Sequence, residues 1–271
     1  MASGRGISRN GPSSASDYLR HLDSVHGWLR PECALLVCRL GQRQSVSGNV
    51  GEIGVHHGKF FILLSLLRRA GESAVAVDLF EDQASNVDHS GAGDRQAFEA
   101  NLRRFGAADR VTVMSADSTT ISAAQLRDSV GGGAFRLFSV DGGHTPQITA
   151  SDMSLVTAVL ADGGLLILDD YFNEAWPGVS EGANRFLSTE TGLVGIGSAH
   201  GKSFFTRGED HAEAYRAQMR RIGEEEGWYA SEQLFYGHPH VALVVKAPPT
   251  LRARIEQLAS HVKRSALGDR T

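Results

Sequence analysis

Several short stretches of the chain concentrate residues able to do chemistry. The first is Gly51-Glu52-Ile53-Gly54-Val55-His56-His57-Gly58-Lys59, where glycines let a backbone approach a ligand closely. The helix expected to open there turns its N-terminal N–H groups toward polar or anionic groups. A dinucleotide fingerprint needs G-x-G-x-x-G, but Glu52 occupies its first glycine position and the remaining pair is Gly54-x-x-x-Gly58. A carboxylate there repels a pyrophosphate and suits a ligand that carries a cation. S-Adenosylmethionine is such a ligand, with an amino group, a sulfonium and no phosphate.

Asp78 closes the next β-rich run, where an acid can accept both ribose hydroxyls of an adenosine. Asp117 and Ser118 end the run after that and can reach an adenine in the same crevice. Further on, Val140-Asp141-Gly142-Gly143-His144 and Leu168-Asp169-Asp170-Tyr171 each end an apolar run in acids. His144 shares a loop with Asp141. Histidine titrates near neutral pH and can take a proton from a hydroxyl.

These residues need a scaffold that brings strand ends together. β-rich runs are expected at Asn49–Gly54, Ala74–Phe80, Arg110–Ala116, Phe135–Asp141 and Leu165–Asp169. Helical patterns fall between them at about Lys59–Ala70, Arg95–Phe105, Ser122–Val130 and Thr149–Leu160. Such alternation argues for right-handed βαβ units, a parallel sheet and helices on both faces. Ser203–Thr206 and Val241–Lys246 add two strands around a polar helix, Asp210–Glu226. The fold class is therefore α/β: a doubly wound, mostly parallel, seven-stranded Rossmann-like sheet.

Two helices broken near Pro31 precede the sheet, and a composition poor in large apolar residues marks 1–15 as a disordered leader. Residues 16–271 then form a single domain. A last helix over Leu251–Val262 packs on its own domain or against a second copy in a homodimer, a choice amphipathicity does not make. The net charge of −4 offers no footprint for nucleic acid or an anionic membrane. Membrane-length apolar runs and a secretory h-region are both lacking, so a cytoplasmic protein is expected. Cys33 and Cys38 share one helix and build no disulfide framework.

The motif Glu52-x-Gly54-x-x-x-Gly58, with Asp78 and Asp117-Ser118 in order behind it, resembles the class I S-adenosylmethionine-dependent methyltransferases over about 48–246. In that family's sheet the fourth and fifth strands are neighbours, with ends about 5 Å apart. The resemblance therefore implies that Asp141, Asp169 and Asp170 converge beside the cofactor. Crowded carboxylates repel unless they share a proton or a cation, and all-oxygen ligation suits Mg²⁺ or Mn²⁺. His144 is then the general base toward a metal-acidified hydroxyl, with Asp141 or water as the alternative proton acceptor.

The catechol and caffeoyl-coenzyme A branch of metal-dependent O-methyltransferases carries Asp…Asp-Asn and a lysine where this chain has Asp170 and His144. Asp141…Asp169-Asp170 is instead similar to the sugar O-methyltransferases of the macrocin type. That resemblance implies a sugar hydroxyl as acceptor, with Tyr171 and Trp176 as an aromatic wall for its apolar face. Overall likeness to the 1-O-methyltransferases of methylmannose polysaccharide synthesis implies the anomeric hydroxyl of a partly methylated mannoside. The polar stretch from Asp78 to Asp94 forms a long loop over the crevice.

Other readings fare less well. A non-sugar hydroxyl, such as an aromatic one, is the same-class alternative. An NAD-dependent oxidoreductase or epimerase usually needs Y-x-x-x-K. Yet Tyr18, Tyr171, Tyr215, Tyr229 and Tyr236 are followed four residues on by Leu22, Ala175, Met219, Gln233 and His240. No two-His-one-carboxylate iron site is evident. His56 and His57 read as plain loop residues, and His238-Pro239-His240 as an extended turn before a strand.

Overall fold

In the computed structural model, residues 14–189 and 191–245 are described. Ser14 and Ala15, assigned to the leader on composition, are the N-cap and first residue of α1 (Ala15–Tyr18), where the Ser14 hydroxyl accepts the Asp17 N–H. A 3-10 turn (Leu19–Ser24) and α2 (Pro31–Arg43) follow, with Pro31 at the helix start, where its missing N–H costs nothing. Then come β1 (Asn49–Ile53), α3 (Lys59–Leu66), β2 (Ala74–Asp78), α4 (Arg95–Arg104), β3 (Val111–Ser115) and α5 (Ala123–Asp128). β4 (Phe135–Val140), α6 (Pro146–Val159), β5 (Leu160–Asp169) and α7 (Pro177–Leu187) complete the strand-helix alternation. The last elements are β6 (Leu193–Ala199), β7 (Lys202–Arg207), α8 (Glu209–Glu226), β8 (Tyr229–Phe235) and β9 (His238–Val244). The helix expected over Leu251–Val262 lies outside the described residues.

All strands join one sheet in the order β3-β2-β1-β4-β5-β7-β6-β9-β8. The first five run parallel, and β7 enters antiparallel to both β5 and β6. β9 then pairs parallel to β6 and antiparallel to β8. The fold is the doubly wound α/β class read from the sequence, with nine strands among the described residues rather than seven. β6 escaped notice because Gly195 and Gly197 interrupt its apolar pattern. β8 is an exposed edge strand whose alternation with solvent is weak.

Alternate residues of the strands feed two cores, as a period of two requires. Ala74, Ala76, Leu165, Ile167 and Phe204 face one core, together with α2, α3 and α8. Val75, Val77, Leu166, Leu168 and Phe205 face the other, against α5, α6 and α7. Both faces are thus covered, which explains why the central strands are apolar throughout.

The chain winds outward from β1 to β3 on one side and from β4 to β5 on the other. The order reverses between β1 and β4, and ligands of such sheets bind beyond the strand carboxyl ends at that switch point. Ile53 and Val140 are register partners there, and Asp141 N donates to the Ile53 carbonyl at 2.9 Å. Among the described residues, no helix is long and apolar enough to cross a membrane.

Candidate active site

A cavity of about 1400 Å³ opens over these strand ends. Its floor is the glycine loop after β1. Gly54 has φ +83°, and a Cβ there would lie 1.7 Å from the Asp141 carbonyl oxygen. Only glycine fits where the two central strands come this close. Gly58, φ +89°, is the N-cap of α3, and a Cβ on it would press on Phe98.

Asp78 ties this loop to β2. Its carboxylate accepts the His56 N–H at 2.8 Å and the Phe80 N–H at 2.7 Å, while burial raises its pKa. Asp117 lines the cavity beside Ser118, and its side chain accepts from the Thr119 N–H and hydroxyl. Glu52 also lines the cavity at 1% exposure, with neither carboxylate oxygen hydrogen-bonded among the described residues. Burial lifts its pKa well above the usual carboxylate range, against the pull of the Lys202 charge. Such an orphaned buried acid calls for a cationic or N–H-bearing ligand. With the glycine approach at Gly54, it fits the ligand expected from the sequence.

The acids after β4 and β5 do converge, but not as three equivalent groups. Lys202, buried at 3% exposure, places Nζ 2.6 Å from Asp169 Oδ2, 3.5 Å from Asp141 Oδ2 and 4.5 Å from the centre of the Phe60 ring. Burial disfavours its charge, yet the Asp169 and Asp141 carboxylates reverse that effect and raise its pKa. The other Asp169 oxygen accepts the Asp170 N–H at 3.0 Å, so Asp169 is committed on both sides. Asp141 is pushed well up by burial and by the charge of Asp169. Asp141, His144 and Asp170 are the residues whose ligating atoms all lie within 4.8 Å of one another. The two carboxylates fit a divalent cation, with the imidazole beside it.

His144 is held from every side. Its Nε2 lies 3.4 Å from Asp170 Oδ2, and its Nδ1 3.1 Å from Asp88 Oδ2, which also accepts the His144 backbone N–H. Its ring stacks on Trp176 at 4.1 Å with an 18° interplanar angle. Burial opposes protonation, but the Asp170 hydrogen bond and the Asp88 charge outweigh it and raise the histidine pKa. Asp170 sits at φ 57°, a left-handed conformation that Asp tolerates better than most residues. The Gly201 carbonyl accepts the Asp170 N–H, and the Asn173 amide donates to its carboxylate.

Of the two aromatic residues expected at the acceptor wall, Trp176 faces the cavity and Tyr171 does not. Tyr171 is 2% exposed, packs at right angles to Phe172 and Phe235, and donates its hydroxyl to Asn184. Its position right after Asp170 starts a turn that folds the ring into the core. Two residues with evident roles were not singled out from the sequence, Lys202 and Asp88. Lys202 is the register partner of Asp169, a contact that exists only because β7 inserts beside β5. Asp88 lies in the polar loop already expected to overhang the crevice.

Residues 52–171 match the family model of a methyltransferase domain. This stretch is thus similar to a methyltransferase domain, and it contains Glu52, Gly54, Gly58, Asp78, Asp117, Ser118, Asp141, His144, Asp169 and Asp170. Solved methyltransferases share the fold. The O-methyltransferase NovP superposes with a TM-score of 0.52 at 16% identity, covering 63% of this chain and 77% of NovP. A Podospora anserina methyltransferase, PaMTH1, gives 0.51 at 13% identity, covering 78% of this chain and all (100%) of the other. The apo structure of CalS11, described as a TDP-rhamnose 3'-O-methyltransferase of calicheamicin biosynthesis, gives 0.50 at 18% identity over 74% of this chain and 89% of its own. No curated protein sequence matches the chain significantly.

Proposed function

We propose that the protein is an S-adenosylmethionine-dependent O-methyltransferase that acts on a sugar hydroxyl with the help of a divalent cation. The observation that carries this reading is the placement of Asp141, Asp170 and His144 around one point beside the Glu52 and Gly54 loop. S-Adenosylmethionine supplies an electrophilic methyl on a sulfonium, and the cation, Mg²⁺ or Mn²⁺, makes the acceptor hydroxyl more acidic. Glu52 offers its free carboxylate to the cationic end of the cofactor, Asp78 takes the ribose, and Asp117 with Ser118 borders the adenine. Asp141 and Asp170 hold the cation, while Lys202 keeps Asp169 neutralised and in place.

His144 does the proton work. With Nδ1–H donated to Asp88, Nε2 is the nitrogen left facing Asp170 and the cavity, and it is free to act as a base once the Asp170 carboxylate is engaged by the cation. Nε2 can accept the hydroxyl proton as the acceptor oxygen takes the methyl. The Trp176 face under the ring steadies the imidazolium formed. The same indole borders the cavity and offers a surface for the apolar side of a sugar.

The sugar acceptor has the support of CalS11, whose described substrate is a nucleotide-linked rhamnose. The anomeric hydroxyl of a partly methylated mannoside is the first acceptor to try. Methyl transfer from labelled cofactor onto a panel of free and partly methylated sugars, with and without exhaustive chelation, tests the proposal. Labelled sugar that disappears on chelation and returns with Mg²⁺ or Mn²⁺ is the expected outcome. Full activity after chelation overturns the cation, and label on aromatic hydroxyls alone overturns the sugar.

A further inference from the structure

A second cluster of ligating side chains lies beside the crevice, which His26 and His56 line. His56 and His57 lie in the loop after β1, and His26 comes from the segment between the 3-10 turn and α2. Adjacent residues of an extended chain point to opposite sides. His56 has φ 50°, and this left-handed turn brings both imidazoles to the same side, stacked at 4.1 Å and 7°. The ring of His26 lies 5.1 Å from each of them. One nitrogen from each of the three histidines falls within 4.8 Å of the others. His56 Nδ1 is buried and, among the described residues, has no hydrogen-bond partner.

We propose that His26, His56 and His57 form a second metal site, one that takes a borderline transition-metal ion of the Zn²⁺ class. The donor set distinguishes it from the acidic centre. Three imidazoles without a carboxylate suit Zn²⁺, Cu²⁺ or Ni²⁺, whereas Mg²⁺ and Mn²⁺ favour oxygen. Imidazoles must be neutral to bind a metal. Three protein ligands leave the fourth tetrahedral position to solvent.

Zinc–nitrogen bonds of about 2.0–2.1 Å require the three nitrogens to draw together. The His56–His57 stack has to open, one ring turning about its Cβ–Cγ bond, and the exposed His26 is free to follow. Occupancy would fasten the segment carrying His26 and Trp28 to the glycine loop. Trp28 already lies 5.4 Å from the His56 ring, and a Cβ on Gly91 would contact both residues. The metal thus clamps the His26 segment to the glycine loop, with the Gly91 loop packed beside them.

Zn²⁺ titration by calorimetry, and Cu²⁺ titration followed by electron paramagnetic resonance, test the site on the full chain. The expected result, with the acidic centre taken out of the count by an Asp141→Asn, Asp170→Asn background, is one tight ion per chain with a three-nitrogen superhyperfine pattern. Losing an outer-shell partner of a metal ligand already costs about 10–100-fold in affinity. His26→Ala and His57→Gln should each weaken Zn²⁺ by at least that much, while His144→Ala leaves the site intact. Because His26 is exposed, its variant keeps the test independent of folding. Hydrogen exchange over residues 25–30 should slow on adding Zn²⁺ to the wild type but not to His26→Ala. Tight binding unchanged in both histidine variants, an oxygen-dominated spectrum, or no tight Zn²⁺ at all overturns the proposal. None of these readouts needs the methyltransferase reading to be right.

Discussion

Replacing Lys202 with methionine removes the only ammonium within ion-pair distance of Asp141 and Asp169 among the described residues, at nearly constant volume. Lys202 is 3% exposed, so water cannot take over its role. Breaking a buried ion pair from one side typically costs 3–5 kcal/mol, because the partner charge stays buried and uncompensated. Here two carboxylates are left, with Asp170 and Glu52 close by, so a loss of about 3–5 kcal/mol is expected in the presence of chelator. At roughly 2–4 °C per kcal/mol for a domain of this size, the melting temperature should fall by roughly 6–20 °C. Urea unfolding followed by circular dichroism, with chelator and again with Mg²⁺, reads the effect. An ion at about a hundred times its dissociation constant returns about 2.7 kcal/mol, so much of the loss should vanish with Mg²⁺. In a Lys202→Met, Asp169→Asn double variant the penalty should also shrink, since the stranded charge is gone. A loss under about 1 kcal/mol in chelator would refute the reasoning, because such a value belongs to an exposed pair.

His144→Ala should keep cofactor binding and lower turnover by roughly 10²–10⁴, the usual worth of a positioned base; a rate within a few-fold of wild type makes it a bystander. Asp88→Asn removes a charge that raises the His144 pKa. The acidic limb of the pH–rate profile should therefore move to lower pH, and an unmoved limb uncouples the loop from the base. Asp152 on α6 is fully buried, and burial lifts its pKa from 3.8 to about 7. The unfolded chain ionises this group first, so its contribution to stability is full below about pH 4 and lost as pH rises through about 7. Asp152→Asn should cancel that dependence and stabilise the protein at pH 8 by up to about 4 kcal/mol, read from urea midpoints at pH 5 and pH 8.

The sequence made the central sheet legible because each buried strand is a continuous apolar run bounded by glycine or an acid. The same runs place Gly54, Asp78 and Asp141 at strand ends, where the crevice had to be. α7 was not legible. Its sequence, Pro-Gly-Val-Ser-Glu-Gly-Ala-Asn-Arg-Phe-Leu, holds two glycines that lower helix propensity. Those glycines serve packing: Cβ atoms on Gly178 and Gly182 would lie 2.3 Å from the His144 carbonyl oxygen and 2.4 Å from that of Pro146. The role of Lys202 was hidden for another reason. It depends on which strand follows β5 in the sheet, and local pattern carries no strand order. The histidine cluster was half visible, since His56 and His57 are adjacent in sequence but His26 reaches them only through the folded N-terminal segment.

The contact of Gly178 with the His144 carbonyl bears on how such a protein can change its acceptor. Trp176 borders the cavity where the acceptor is proposed to bind, and the first turn of α7 that follows it rests directly on the loop that carries the proposed base, His144. A larger side chain introduced on that turn to favour a new acceptor would push the loop and misplace Nε2. Substitutions there should trade selectivity against rate. Val87, 61% exposed on the overhanging loop, also lines the cavity. A change in substrate range, whether natural or selected in the laboratory, has a less costly route through such an outer position.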